Sequence, residues 1–326
     1  MKRLNPYLTG GITPDWIDYL LAFQDAGADA VEIGLPFSDP MVDGATIQRA
    51  SDQALRRGAT AASILSDLTA ARHRIRIPLI AMTYANLVFR GDPQAGEPTR
   101  QAGEPTREGG KDTSRANQPV RGSQATARCG EPTDSGAGAT IRGDGPLSGG
   151  GDTGGPEAFC RRLAEAGFSG LIVPDVPVDE ADRLERAAAA AGIDLVLLAA
   201  PVTPEDRLTE IGRRSRGFVY AVSVMNTTGE RDTLAATAAP LAARLKAVTD
   251  LPVLIGFGIS TPAQAATAAR AGDGVVIGAA LMRRVLDGAS PDDLRAEVAA
   301  YRAALDQVDQ EMPVARAHAE ISGDRR

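Results

Sequence analysis

Short apolar runs alternate with amphipathic segments along most of the chain. The apolar runs are rich in Val, Ile and Leu, as are strands that are buried on both faces of a parallel sheet. Eight such runs are predicted to be strands, at residues 6–9, 30–34, 78–83, 170–173, 194–199, 217–222, 252–256 and 274–277. Helical patterns follow the strands, most clearly at residues 14–26, 46–57, 156–166, 179–190, 204–214 and 262–271. Several of these patterns end in an Ala-Gly pair, which is typical of helix C-caps.

The regular alternation of strand and helix indicates the fold class. Eight strand and helix pairs in strict order predict an α/β protein with a (β/α)₈ TIM barrel. Alternation alone does not prove that the sheet closes, so a doubly wound open sheet is the alternative.

One long segment, residues 91–155, interrupts the alternation. It holds 16 Gly and 6 Pro but no aromatic residue, so it lacks the side chains needed for a core and is expected to be disordered. The heptapeptide QAGEPTR occurs in it twice in direct succession, which indicates duplication within a loop. We therefore predict a single barrel formed by residues 1–90 and 156–309, a low-complexity insertion after the third strand, and a mobile tail at 310–326.

Charge and hydropathy exclude several classes of partner. The 326 residues carry a formal net charge of −7, and no run of Lys and Arg forms a basic stripe, so nucleic acid is not an expected partner. No stretch reaches the roughly 18 uninterrupted apolar residues of a membrane-spanning helix, and the N-terminus has no apolar signal region. We therefore expect a cytoplasmic protein that does not associate with membranes.

Scarce residue types restrict the chemistry further. The chain has two Cys, without CxxC spacing, and two His, which leaves little material for a disulfide framework, a metal site or a histidine-based triad. None of Lys2, Lys111 and Lys246 lies where a Schiff-base lysine would face a barrel mouth. No metal is therefore expected, and carboxylates are the leading candidates for catalysis.

Two carboxylates at and after the second predicted strand have the strongest catalytic signal. Period-two alternation places Glu32 on the strand face opposite Val31 and Ile33, in a sheet expected to be buried on both sides. Burial would raise the pKa of Glu32 and let it hold a proton near neutral pH, as a general acid must. Asp43 follows on a loop that can turn back over the strand end. Taken alone, Glu32 could instead belong to a buried ion pair, and Asp43 could be a turn or helix-cap residue.

Glycines after the last two predicted strands indicate an anion site. Gly256-Phe257-Gly258 ends the seventh strand, and Gly278-Ala279 ends the eighth and enters a helix. Backbone N–H groups and a helix N-terminus can converge there on a phosphate, which barrel enzymes often bind after strands seven and eight. Either motif alone is better explained by a tight turn, but together at adjacent strand ends they favour phosphate.

These elements together resemble the tryptophan synthase alpha subunit family. The resemblance rests on residues 31–40 with Asp43-Gly44, and on residues 46–48, 84–89, 175–177 and 256–260. The element Pro-Phe-Ser-Asp-Pro with its downstream Asp-Gly is highly characteristic of that family. The resemblance implies retro-aldol cleavage of indole-3-glycerol phosphate to indole and glyceraldehyde 3-phosphate in tryptophan biosynthesis, with no cofactor.

The resemblance also implies roles for individual residues. Glu32 is implied to supply acid and base catalysis, and Asp43 to hold the indole N–H. The implied substrate-binding residues are Tyr84, Tyr220, Thr228, Gly229, Gly258 and Gly278. The implied partner is a tryptophan synthase beta subunit in an alpha2beta2 heterotetramer, facing Asp39, Asn86, Asp175 and Pro177.

Two positions near the implied phosphate site depart from the family pattern. Asn226 stands where the family usually has Gly, and Ala279 where a Ser hydroxyl usually helps to hold phosphate. The predicted insertion also leaves the third strand on the rim where a beta subunit would dock. Three alternatives therefore stay open: a stand-alone indole-releasing lyase, a barrel enzyme acting on another phosphorylated substrate, and a non-catalytic activator of a beta subunit.

Overall fold

The strands of the described residues form one parallel sheet. The computed structural model describes residues 1–90, 154–222, 233–256 and 258–323, with side chains throughout except at 233–237 and 312–323. The nine strands in these ranges are β1 (Arg3–Thr9), β2 (Val31–Gly34), β3 (Leu79–Met82), β4 (Phe168–Ile172), β5 (Asp194–Val196), β6 (Leu198–Ala199), β7 (Val219–Val222), β8 (Val253–Gly256) and β9 (Gly274–Ile277). All neighbouring strands run parallel.

The order of the strands shows that the sheet closes on itself. Neighbours follow the order β5-β4-β3-β2-β1-β9-β8-β7-β6, so β5 and β6 lie at its two ends. Only Leu197 separates these two strands along the chain. One run of backbone therefore joins both ends of the sheet, which confirms the (β/α)₈ barrel and excludes the doubly wound open sheet.

The single strand predicted at 194–199 is divided in two by Ser215. The Leu197 N–H donates to Ser215 Oγ at 3.0 Å, and Ser215 Oγ donates to the Phe218 carbonyl at 2.7 Å. Because the Leu197 amide bonds to a side chain rather than to a neighbouring strand, the ladder is interrupted at this residue. The prediction of one unbroken fifth strand is therefore wrong by one residue.

Helices follow most of the strands. The described residues contain α1 (Trp16–Asp25), α2 (Ala45–Arg56), α3 (Ala61–Ala71), α4 (Ala85–Val88), α5 (Pro156–Glu165), α6 (Asp182–Ala190), α7 (Glu205–Arg214), α8 (Thr233–Lys246), α9 (Pro262–Ala271), α10 (Ala279–Leu286) and α11 (Pro291–Gly323). The predicted Ala-Gly endings are confirmed at Gly27 and Gly167, whose φ angles of 90° and 91° are those of a left-handed C-cap. Within these ranges no helix combines the length and apolar character needed to cross a lipid bilayer.

Alternate strand residues pack on opposite sides of the barrel wall. On β9, Val275 and Ile277 belong to the large core shared with the helices, whereas Val276 belongs to a separate cluster enclosed by the strands. On β2, Val31 and Ile33 lie in the same large core. The alternation therefore directs Glu32, the residue between them, to the inside of the barrel, on the face opposite Val31 and Ile33 as predicted.

Two predicted segments are only partly covered by the structure. Residues 91–153 lie outside the described ranges, so the insertion predicted at 91–155 stays a prediction. The tail predicted at 310–326 overlaps α11, whose last residue is Gly323.

Candidate active site

A cavity of about 160 Å³ lies at the carboxyl ends of the strands. Parallel strands bring their carboxyl ends to one mouth of a barrel, so residues that are far apart in the sequence meet there. Five predicted site residues line this cavity: Glu32, Asp43, Tyr220, Gly258 and Gly278.

Glu32 is buried in the cavity wall without a charge partner. Its side chain is on β2, the residue is 1% exposed, and neither carboxylate oxygen has a hydrogen-bond partner among the described residues. Burial, together with the nearby negative charge of Asp43, raises the pKa of Glu32 to about 8. The buried ion pair considered for Glu32 is thus excluded in the described part of the chain. A carboxyl group that is buried and unpaired in a cleft is typical of a functional site.

Asp43 is half-buried on the loop between β2 and α2. Burial raises the pKa of its carboxyl group, and a hydrogen bond from the Tyr84 side chain offsets part of that rise. Tyr84 Oη also accepts a hydrogen bond from the Val42 N–H at 3.3 Å. Gln48 Nε2 donates to the Asp43 carbonyl at 2.8 Å. The loop thereby holds the carboxylate next to the cavity.

Asp43 does not act as a helix cap. The N-cap residue of α2 is Gly44, and no side chain accepts a hydrogen bond there. The carboxylate is therefore left to face the cavity that it shares with Glu32. The negative charge of Asp43 contributes to the raised pKa of Glu32, and the hydrogen bond from Tyr84 favours the charged form of Asp43. With its pKa at about 8, Glu32 holds a proton near neutral pH.

Two tyrosines lie over glycines of neighbouring strands beside the carboxylates. A Cβ added to Gly34 on β2 would overlap Tyr7 Oη, and one added to Gly256 on β8 would overlap Tyr220 Oη. No residue with a side chain fits at either glycine without displacing the ring. Burial and the two nearby carboxylates raise the pKa of both phenols, so both hydroxyls stay protonated at the cavity wall.

Glycines and a helix N-terminus form another part of the cavity wall. Gly258 has a φ of 77°, in the left-handed region that favours glycine. Gly278 is the N-cap of α10, and both it and Ala279 line the cavity. The positive end of the helix dipole and its free N–H groups are therefore available to an anion.

Known proteins identify the family to which this barrel belongs. The family model of the tryptophan synthase alpha chain matches residues 2–97 and 153–312. The chain belongs to the tryptophan synthase alpha chain family. It is 34% identical to the tryptophan synthase alpha chain of Gloeobacter violaceus over 95% of this chain and 90% of that protein.

Solved structures of tryptophan synthase also match this chain. The tryptophan synthase of Mycobacterium tuberculosis in space group F222 matches with a TM-score of 0.68 and 31% identity, covering 93% of this chain and 92% of that chain. The tryptophan synthase complex of Pyrococcus furiosus matches with a TM-score of 0.64 and 27% identity, covering 93% of this chain and all of that chain.

The remaining substrate residues predicted from the tryptophan synthase alpha family fall into two groups. Tyr84 contacts Asp43 rather than lining the cavity itself. Thr228 and Gly229 lie outside the described residues, as does Asn226, so their roles stay predictions.

Four residues predicted to face a beta subunit share one side of the barrel rim. They are exposed in the segments that follow β2, β3 and β4, with Asn86 on α4 and the others on loops: Asp39, Asn86, Asp175 and Pro177. Asp175 accepts hydrogen bonds from the Ala85 N–H at 3.0 and 3.2 Å, which ties the loop after β4 to the start of α4. Met41, on the loop with Asp39, is 91% exposed.

Tyr7 and Arg283 are among the cavity residues that sequence reasoning missed. Tyr7 on β1 is in register with Glu32 on β2, so aligning adjacent parallel strands would have found it. Arg283 lies one helical turn after Ala279 on α10 and also lines the cavity. Following the glycine motif one turn into the helix would have found it.

Proposed function

We propose that this chain cleaves indole-3-glycerol phosphate to indole and glyceraldehyde 3-phosphate, as the alpha subunit of a tryptophan synthase. The observation that carries the proposal is the buried, unpaired Glu32 carboxyl group, which shares a cavity with Asp43. Family membership names the reaction, and the cavity supplies groups suited to each of its steps.

Glu32 is proposed to move both protons of the reaction. With its pKa raised to about 8, it is protonated near neutral pH and gives its proton to the indole carbon that bears the glycerol chain. The bond from that carbon to the chain then breaks, and its electrons return to the ring. The carbon that leaves becomes an aldehyde as its hydroxyl proton passes to the Glu32 carboxylate. Glu32 ends protonated, so the step balances without a further reactant.

Asp43 is proposed to stabilise the cation that forms when the ring is protonated. Its carboxylate would accept a hydrogen bond from the indole N–H, where positive charge develops. The hydrogen bond from Tyr84 favours the ionised form that this role needs. Removing one such electrostatic contact typically lowers kcat by about 10²–10³-fold.

The phosphate and partner sites complete the proposal. Gly258 and Gly278 would bind the substrate phosphate with backbone N–H groups, with Gly229 joining by family resemblance. Thr228 would line the substrate site, also by family resemblance. A beta subunit would dock on the rim that carries Met41, giving the alpha2beta2 assembly. We further propose a cytoplasmic location, where biosynthetic enzymes of this kind act.

Indole release from indole-3-glycerol phosphate tests the reaction. The parent is compared with Glu32→Gln and Asp43→Asn, with and without a beta subunit, and Glu165→Gln at an exposed site on α5 serves as the matched control. Both active-site variants are expected to lose at least about a hundredfold in kcat, and the control none.

Each alternative function has its own outcome in this assay. Release that a beta subunit does not change would favour a stand-alone lyase. Activation of the beta subunit by a chain that releases no indole, unaltered by Glu32→Gln, would favour the non-catalytic activator. Neither release nor activation would contradict the proposal and direct attention to other phosphorylated substrates.

A further inference from the structure

Arg283 lies on the wall of the active-site cavity that carries the glycines. It is the fifth residue of α10, one helical turn after Ala279 and on the same helix face. Gly258, Gly278 and Ala279 line the cavity with it. The guanidinium is thus held on a regular helix rather than on a loop.

Arg283 is the one cationic side chain among the described residues that line this cavity. The other charged side chains of that lining are the carboxyl groups of Glu32 and Asp43, which β2 and its loop carry. The cavity is therefore acidic at β2 and basic at α10. This distribution of charge is complementary to a substrate that develops positive charge at one end and carries an anion at the other.

The guanidinium has no competing partner within the described ranges. It makes no ion pair and no side-chain hydrogen bond there, whereas the next residue, Arg284, pairs with Glu297 through Nε and Oε2 at 3.2 Å. The charge of Arg283 is therefore free to meet a ligand, and Arg284 provides a matched control one residue away.

Backbone groups alone do not neutralise the negative charge of a phosphate at this position. The Ser260 N–H, at the same wall, already donates to Gln264 Oε1 at 2.8 Å. The helix end offers about half an elementary positive charge, against about −1.5 to −2 on a phosphate monoester at neutral pH. A guanidinium supplies a full charge and two parallel N–H donors in the geometry that phosphate oxygens accept.

We infer that Arg283 binds the phosphate of the substrate and so holds the reacting end of the molecule at Glu32. This role rests on the proposed function and specifies its substrate as a phosphate ester rather than a neutral glycerol. The contact is made in the bound substrate and in the transition state alike, so it acts on KM more than on kcat.

Binding of glycerol 3-phosphate, measured by calorimetry, tests the contact without catalysis. Arg283→Gln is expected to weaken this binding by about ten- to a hundredfold, as loss of a hydrogen-bonded charge contact does. Arg283→Lys keeps the charge and is expected to lose less, and Arg284→Gln is expected to bind as the parent does. Added salt is expected to weaken binding by the parent more than by Arg283→Gln. Glycerol, which has no phosphate, is expected to show no difference between parent and variants.

Steady-state cleavage of indole-3-glycerol phosphate provides the second readout. The loss seen in binding is expected in KM, with a much smaller change in kcat. Thermal unfolding of each variant checks the fold, which an exposed helix position such as Arg283 leaves intact. If Arg283→Gln nevertheless fails to fold, Arg283→Lys provides the test. This variant keeps the positive charge, so the inference requires that it still binds glycerol 3-phosphate.

The outcomes separate this inference from the proposed reaction. Equal binding of glycerol 3-phosphate by the parent, Arg283→Gln and Arg284→Gln would overturn the role of Arg283 even if the parent releases indole. No binding by the parent would also overturn it. Weaker binding by Arg283→Gln in a chain that releases no indole would refute the reaction and leave the phosphate contact standing.

Discussion

Replacing Glu32 by Gln is expected to stabilise this protein at alkaline pH while it removes activity. The Glu32 carboxyl group is buried, and no described residue donates a hydrogen bond to it or pairs with it. The native fold therefore tolerates the neutral form and disfavours the charged one. A glutamine has nearly the same shape and never ionises, so the substitution removes the charge and leaves the volume.

The size of the effect follows from the pKa. Burial and Asp43 raise the pKa of Glu32 from an ordinary value of 4.5 to about 8, an interval of about 3.5 pH units. In that interval the folded chain binds one proton more than the unfolded chain, so the free energy of unfolding falls as pH rises. The favourable contribution is fully present below pH 4.5 and lost as pH rises through about 8. At 1.36 kcal/mol per pH unit, the loss reaches about 5 kcal/mol.

Urea unfolding of the parent and Glu32→Gln from pH 5 to pH 9 measures this contribution of Glu32 to the free energy of unfolding. Groups that titrate equally in both proteins cancel in the difference, so the advantage of the glutamine variant is expected to grow with pH and level off above about 8. Glu165→Gln at an exposed site serves as the control for exchanging a carboxylate for an amide. A difference between parent and Glu32→Gln that does not change with pH would refute the reasoning, because it would show that Glu32 ionises in the fold as freely as in water.

Three further predictions concern other parts of the barrel. Gly34→Ala would place a Cβ on Tyr7 Oη and is expected to lower the free energy of unfolding by about 1–3 kcal/mol, measured by urea unfolding; a smaller effect would show that the ring moves aside freely. Ser215→Ala leaves the buried Leu197 N–H without its acceptor and is expected to cost about 1–3 kcal/mol in the same measurement, and an unchanged midpoint would contradict the role given to this serine. Because Glu32 must be protonated to act as an acid, kcat/KM is expected to fall as pH rises through about 8, and a profile flat to pH 10 would assign the acid to another group.

The sequence predicted the barrel well because its signals are local and periodic. Apolar alternation on β2 placed Glu32 on the face opposite Val31 and Ile33, and it needed no knowledge of the neighbouring strands. The break at Leu197 was not predictable in this way, since its cause is Ser215, 18 residues further along the chain. Tyr7 and Arg283 were missed because their places in the cavity depend on strand register and helix packing, which a single segment does not reveal.

The two carboxylates are held in the site by different means. Val31 and Ile33 are wholly buried beside Glu32, so a shift of β2 by one residue would exchange the carboxyl group with a core side chain. The large core therefore fixes Glu32, the proposed catalytic acid. Asp43 depends instead on a loop held by hydrogen bonds, and Met41 lies exposed on the same loop. A partner that covers Met41 would thus meet the segment that carries Asp43, the carboxylate proposed to hold the indole N–H, while the strand that carries Glu32 stays within the barrel wall.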